Sequence, residues 1–75
     1  MTLRQYLELK YSKSTLNSNL YHIKRFTDYY DKRAEQATYQ DVLNYIEHLR
    51  KNYDLHPKTL RHALYAVKIY FNYLL

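Results

Sequence analysis

A chain of 75 residues with no glycine and one proline, Pro57, has few ways to reverse direction. Tight hairpin turns need residues at positive φ, which glycine supplies most readily, so most β architectures are excluded and an all-helical fold is the simple reading. At this length the chain is one domain, near the lower limit at which a hydrophobic core alone sustains folding. It has no cysteine, so neither a disulfide nor a thiolate metal site can staple it. Neither a membrane-length apolar run nor a signal peptide is evident, and a cytoplasmic protein without membrane partners is expected.

Hydrophobic spacing and capping residues divide the chain into four helices, expected at about 3–11, 13–31, 39–52 and 57–75. Thr2 with Gln5 makes a capping box, followed by Leu3, Tyr6, Leu7 and Lys10 at helical spacing. Ser12 is an N-cap for a second helix whose apolar stripe is Leu16, Leu20, Ile23, Phe26 and Tyr30. The polar run KRAEQA connects it to a third helix. That helix is opened by Thr38 with Asp41 and buries Val42, Tyr45, Ile46 and Leu49. Pro57 suits the first turn of the fourth, with His56 as N-cap and Leu60, Ala63, Leu64, Val67, Phe71 and Leu74 turned inward. Four such stripes joined by short loops predict a compact four-helix bundle.

The second and fourth helices echo each other at an offset of 44 positions: Thr15 over Thr59, Leu16 over Leu60, Leu20 over Leu64, Tyr21 over Tyr65, Lys24 over Lys68 and Tyr29 over Tyr73. Matched leucines need only a shared core. The polar matches are less expected: Asn17, Tyr21, Lys24 and Asp28 on one helix answer Arg61, Tyr65, Lys68 and Asn72 on the other.

Charge follows the same division. Residues 1–30 carry five basic and two acidic side chains, residues 31–55 four and five, and residues 56–75 three basic and no acidic. A positive excess confined to the echoed segments points to a polyanion, of which nucleic acid is the commonest. Lys13 and Lys58 sit in first turns, where the helix dipole disfavours cations. With free N–H groups and the hydroxyls of Ser14, Thr15 and Thr59, they read as phosphate seats. The expectation is that both helix starts are presented together on one side of the molecule.

The order Ser-x-x-Thr, a Leu/Ile-spaced helix ending in an aromatic, then "PKTLR" opening a helix that ends "YFNYL", resembles the N-terminal core-binding (SAM-like) domain of tyrosine recombinases, the phage integrase and Xer-type enzymes. The resemblance runs from "TLRQYLELKYSKST" through "LHPKTLRHALYAVKIYFNYLL". It implies a helical bundle that closes over one face of double-stranded DNA, with the second and fourth helices toward the major groove. The implied DNA contacts are Lys13, Ser14, Thr15, Asn17, Ser18, Tyr21 and Lys24, with Lys58, Thr59, Arg61, His62, Tyr65 and Lys68. Of these Lys13, Lys58, Ser14, Thr15 and Thr59 suit phosphate, while Arg61, Asn17 and His62 could reach base edges.

The family's nucleophilic tyrosine belongs to a separate C-terminal catalytic domain, so this chain is read as a binding domain over 1–75 and not an enzyme by itself. Family members assemble as oligomers on DNA; the isolated fragment is expected to be monomeric. No cofactor is implied. His22, His48, His56 and His62 show no metal-ligand spacing with carboxylates. The competing reading is a helical protein–protein interaction module, or an accessory domain of a transcriptional regulator, using Tyr29, Tyr39, Tyr53 and Tyr73.

Overall fold

A computed structural model of the chain describes residues 1–74. It has the four expected helices: α1 (Leu3–Lys10), α2 (Lys13–Tyr29), α3 (Tyr39–Asn52) and α4 (Pro57–Leu74). The expected end of the fourth helix at residue 75 lies outside the described residues. The starts are set by side-chain caps. Thr2 and Gln5 close a reciprocal capping box, as do Thr38 and Asp41, and the Ser12 hydroxyl accepts the Thr15 N–H. At the fourth start the His56 ring Nδ1 accepts the Lys58 N–H at 3.0 Å, which requires the ring proton on Nε2.

The helix ends follow from the missing glycine. A helix commonly stops on a left-handed residue, usually glycine. Among the described residues no backbone position has positive φ. Instead α1, α2 and α3 each end on an extended tyrosine: Tyr11, Tyr30 and Tyr53. The N–H of each still bonds back to a carbonyl of the last turn, on Leu7, Phe26 and Leu49 respectively. Consequently α1 and α2 stop one and two residues short of their expected ends at 11 and 31. The KRAEQA connection also contains structure that periodicity does not reveal, a 3-10 turn over Ala34–Gln36.

The molecule measures 34 × 27 × 16 Å over its Cα atoms, a slab about two helix layers thick. Its core has two adjoining parts. Phe26, Val42, Tyr45, Leu49, Ala63 and Val67 fill one, and Leu7, Leu16, Ile23 and Ala66 the other. Helix α4 contributes to both. Phe26 is central, meeting Tyr45 edge-on at 5.2 Å and Phe71 at 6.1 Å between ring centroids. Tyr30, Ile46, Leu60, Leu64 and Phe71 are half-buried against this first part and Leu20 against the second; Leu74 is half-buried, and Ala66 is a core residue beyond those expected. Two polar residues also lie inside, Asn19 at 7% and His22 at 9% exposure.

Candidate nucleic-acid interface

Helix α2 packs alongside α4, and a groove runs between them. Its first stretch, of about 370 Å³, is lined by Tyr11, Ser14, Thr15, Ser18 and Asn19 on one wall and His62, Tyr65 and Ile69 on the other. The next stretch brings Tyr21, His22 and Arg25 beside Leu55, Thr59 and Ala63. As α2 advances along the groove, α4 therefore recedes: the helices pass in opposite directions. This corrects the expectation that the two helix starts stand together. The start of α2 lies beside the middle and later turns of α4, and the start of α4 beside the later turns of α2. From Lys13 to Arg25, at ~1.5 Å per residue, is about 18 Å.

The phosphate-seat expectation needs a second correction. Three of the N–H groups taken as free are already bonded: Thr15 to the Ser12 hydroxyl, Lys58 to the His56 ring, and Thr59 to the His56 carbonyl. What the helix starts offer is mainly side-chain chemistry. Lys13, Ser14, Thr15, Asn17, Ser18, Tyr21 and Lys24 are exposed on α2, and Lys58, Arg61, His62, Tyr65 and Lys68 on α4. Thr59 is half-buried in the groove wall.

These residues occupy two levels. Ser14, Ser18, Tyr21 and Arg25 make the row of α2 at the groove, spaced four, three and four apart. Lys58, His62, Tyr65 and Ile69 repeat that spacing on α4. Of the echoed stripes, Tyr21 and Tyr65 belong to these groove rows, while Lys24 and Lys68 sit further out, on the shoulders. Lys24 pairs there with Asp28 at 3.1 Å, and Lys68 borders an apolar cavity with Thr38, Tyr39 and Phe71 on the α3 side. Tyr65 and Tyr21 stay 62% and 56% exposed, large rings left in solvent at the rims.

Arg25 was not among the residues singled out from the sequence. It is half-buried, its Nη1 donates to the Tyr21 hydroxyl at 2.9 Å, and its guanidinium lies over the rings of both Tyr21 and Tyr53. The echo does not single it out: along this inner row only Tyr21 over Tyr65 is an identity, and Arg25 stands over Ile69. Buried His22 stands behind this row. Its imidazole is pushed below its ordinary pKa, chiefly by desolvation and then by repulsion from His62 and Arg25.

Ion pairing sharpens the charge pattern. Arg4 pairs with Glu8, Arg33 with Glu35 and Arg50 with Glu47, all off α2 and α4. On α2 and α4 only Lys24 is paired; among the described residues Lys13, Arg25, Lys58, Arg61 and Lys68 make no ion pair. The tyrosines named for a protein-binding surface do not form one patch. Tyr29 and Tyr53 flank His48, Tyr39 borders the apolar cavity, and Tyr73 stacks on Tyr6 and donates to the Met1 carbonyl. Among the described residues no three His, Cys, Asp or Glu side chains gather as a metal site, and no helix is long and apolar enough to cross a membrane.

No curated protein and no solved structure matches the chain. A family model, the phage integrase N-terminal SAM-like domain, matches residues 2–75. With its four-helix all-α architecture, the chain belongs to the phage integrase N-terminal SAM-like domain family.

Proposed function

We propose that the chain binds duplex DNA along the α2–α4 face, as the core-binding domain of a site-specific tyrosine recombinase. Cleavage and rejoining of strands are assigned to a separate catalytic domain, and this domain positions the duplex. The observation that carries the reading is that, among the described residues, α2 and α4 hold five cations without an ion pair, Lys13, Arg25, Lys58, Arg61 and Lys68, against one that is paired, Lys24, whereas Arg4, Arg33 and Arg50 are paired elsewhere and Lys10, Lys32 and Lys51 are not. Unpaired charge concentrated on one pair of helices favours a polyanion.

The opposed helix directions change how such a face would engage DNA. Helix starts about 18 Å apart at ~1.5 Å rise per residue cannot share one phosphate. They suit phosphates on opposite borders of a major groove, itself about 12 Å wide, with the hydroxyls of Ser14, Thr15 and Ser18 and the His62 ring between them.

The test is a titration of duplex oligonucleotide with the domain at several salt concentrations. Four phosphate contacts predict a log–log slope of about −3.6 and a roughly 100-fold loss of affinity between 50 and 200 mM salt. Binding that hardly responds to salt, or no binding at low salt, would reject the reading.

A further inference from the structure

We propose that Arg25 is a preset clamp for a backbone phosphate at the end of the groove nearest the start of α4. The inference rests on the DNA-binding reading and adds to it a residue and a means of orienting it. The guanidinium carbon stands 5.7 Å from the centroid of the Tyr21 ring and 5.1 Å from that of Tyr53. Nη1 donates to the Tyr21 hydroxyl at 2.9 Å. Two rings and one hydrogen bond thus fix a side chain that in solution samples many rotamers, and the ordering cost is met before any ligand arrives.

Among the described residues the fixed guanidinium has no counter-ion. Asp28, one turn further along α2, is taken by Lys24 at 3.1 Å. Of the five N–H donors on an arginine, one is committed to a neutral phenol and none to a carboxylate. The surroundings add positive character. Arg25 and Thr59 line the same cavity, so the first turn of α4, with Lys58 and the positive end of the helix dipole, is close by.

A residue needed only to fill the space between two phenol rings would not require a full charge left unbalanced beside a second cation. An anion with oxygens to accept a planar fork balances it, and phosphate does so bidentately. On its α3 side Arg25 also borders an open cavity of about 310 Å³ with Tyr29, Tyr45, His48 and Tyr53, which Asp28, held by Lys24, lines as well.

The experiment compares the salt dependence of binding to a 20-base-pair duplex of random sequence for the wild-type chain and for Arg25→Gln, Arg25→Lys, Tyr53→Leu and Lys58→Glu, with circular dichroism confirming the fold of each. Arg25→Gln should weaken binding roughly tenfold and make the salt slope shallower by about one. Arg25→Lys should keep the slope and lose several-fold in affinity. Tyr53→Leu, which frees the arginine without removing it, should weaken binding at an unchanged slope.

If Arg25→Gln keeps the wild-type slope while Lys58→Glu weakens binding, Arg25 is a packing residue and the inference is overturned, with the DNA reading intact. Wild-type affinity in Arg25→Lys overturns the planar clamp, and wild-type affinity in Tyr53→Leu overturns its presetting. Absence of salt-dependent binding by the wild-type chain removes both proposals together.

Discussion

His22 and Ala63 line one cavity of about 40 Å³ in the seam between α2 and α4. The contact explains the echo between the two helices. Asn19, His22 and Ile23 are buried on α2, and the residues 44 positions on, Ala63, Ala66 and Val67, are buried on α4. Two helices that pack on each other through equivalent faces repeat the same spacing, with alanines on one leaving room for larger side chains on the other. Ala63→Leu is therefore predicted to overpack the seam. Destabilisation by about 1–3 kcal/mol is expected, with the melting temperature falling about 4–8 °C for each kcal/mol. A thermal melt by circular dichroism checks it, and an unchanged midpoint would mean the seam is slack.

The same histidine predicts a pH dependence. Burial depresses the folded-state pKa of His22 below its ordinary 6.5. As pH falls through that value the unfolded chain takes up the proton before the folded one, so its contribution to stability is full above it and declines below. The facing groups are His62 on α4, Arg25 and Tyr21 on α2 and Tyr45 on α3. His22→Gln should flatten the loss of melting temperature between pH 7 and pH 5, whereas His62→Gln should leave most of it. Equal slopes in wild type and His22→Gln would reject this.

The helix starts were legible because each is written in a few adjacent residues: Thr2 with Gln5, Ser12, Thr38 with Asp41, and His56 before Pro57. The ends were less so, since a chain without glycine stops its helices on tyrosines, which periodicity assigns equally well to the helix. Asn19 and His22 escaped because periodicity sorts residues by polarity, and their burial depends on what α4 places opposite them. The direction in which α2 passes α4 is tertiary and leaves no trace in either helix's own pattern. That is why Lys13 and Lys58 could be expected together when they stand apart, and why Arg25 became visible only once the facing rows were known.

The α3 start supports a prediction on capping. The Thr38 N–H donates to the Asp41 carboxylate at 2.8 Å and the Asp41 N–H to the Thr38 hydroxyl at 3.3 Å. The Thr38 backbone bond, more than any other contact, holds the Asp41 carboxyl below its ordinary range. Thr38→Ala should cost about 1 kcal/mol at neutral pH. For Asp41, whose folded pKa is depressed, the stabilisation is present above the unfolded value of 3.8 and is lost as pH falls below it. Asp41→Asn should accordingly lower the neutral-pH melting temperature and leave the most acidic melts close to wild type.

Lys58 and Arg61 separate affinity from sequence preference. Lys58 sits in the first turn of α4 beside the groove, suited to phosphate, so Lys58→Glu should weaken binding to every duplex alike and make the salt slope shallower. Arg61 is exposed one turn along on the shoulder. If it reads guanine, Arg61→Ala should cost about 1–3 kcal/mol on the best site and much less on others, narrowing the spread among sequences. Selection from a randomised duplex pool measures that spread; a uniform loss would make Arg61 a phosphate contact.

Asn19 offers the sharpest separation of stability from binding. It is nine-tenths buried, and among the described residues its Nδ2 has no hydrogen-bond partner. A buried donor left unsatisfied costs about 1–3 kcal/mol, and an apolar residue of similar shape removes that cost. Asn19→Leu should therefore raise the melting temperature, against the usual direction for a change at an interior site. The same residue lines the hydroxyl-bearing stretch of the groove, with Ser14, Thr15, Ser18 and His62. Ser14, Thr15 and Ser18 keep their own exposed hydroxyls, so a duplex held by them should bind the variant with unchanged salt slope. A lower melting temperature would show that the amide does find a partner in the folded protein, and that α2 and α4 are held together in part by it.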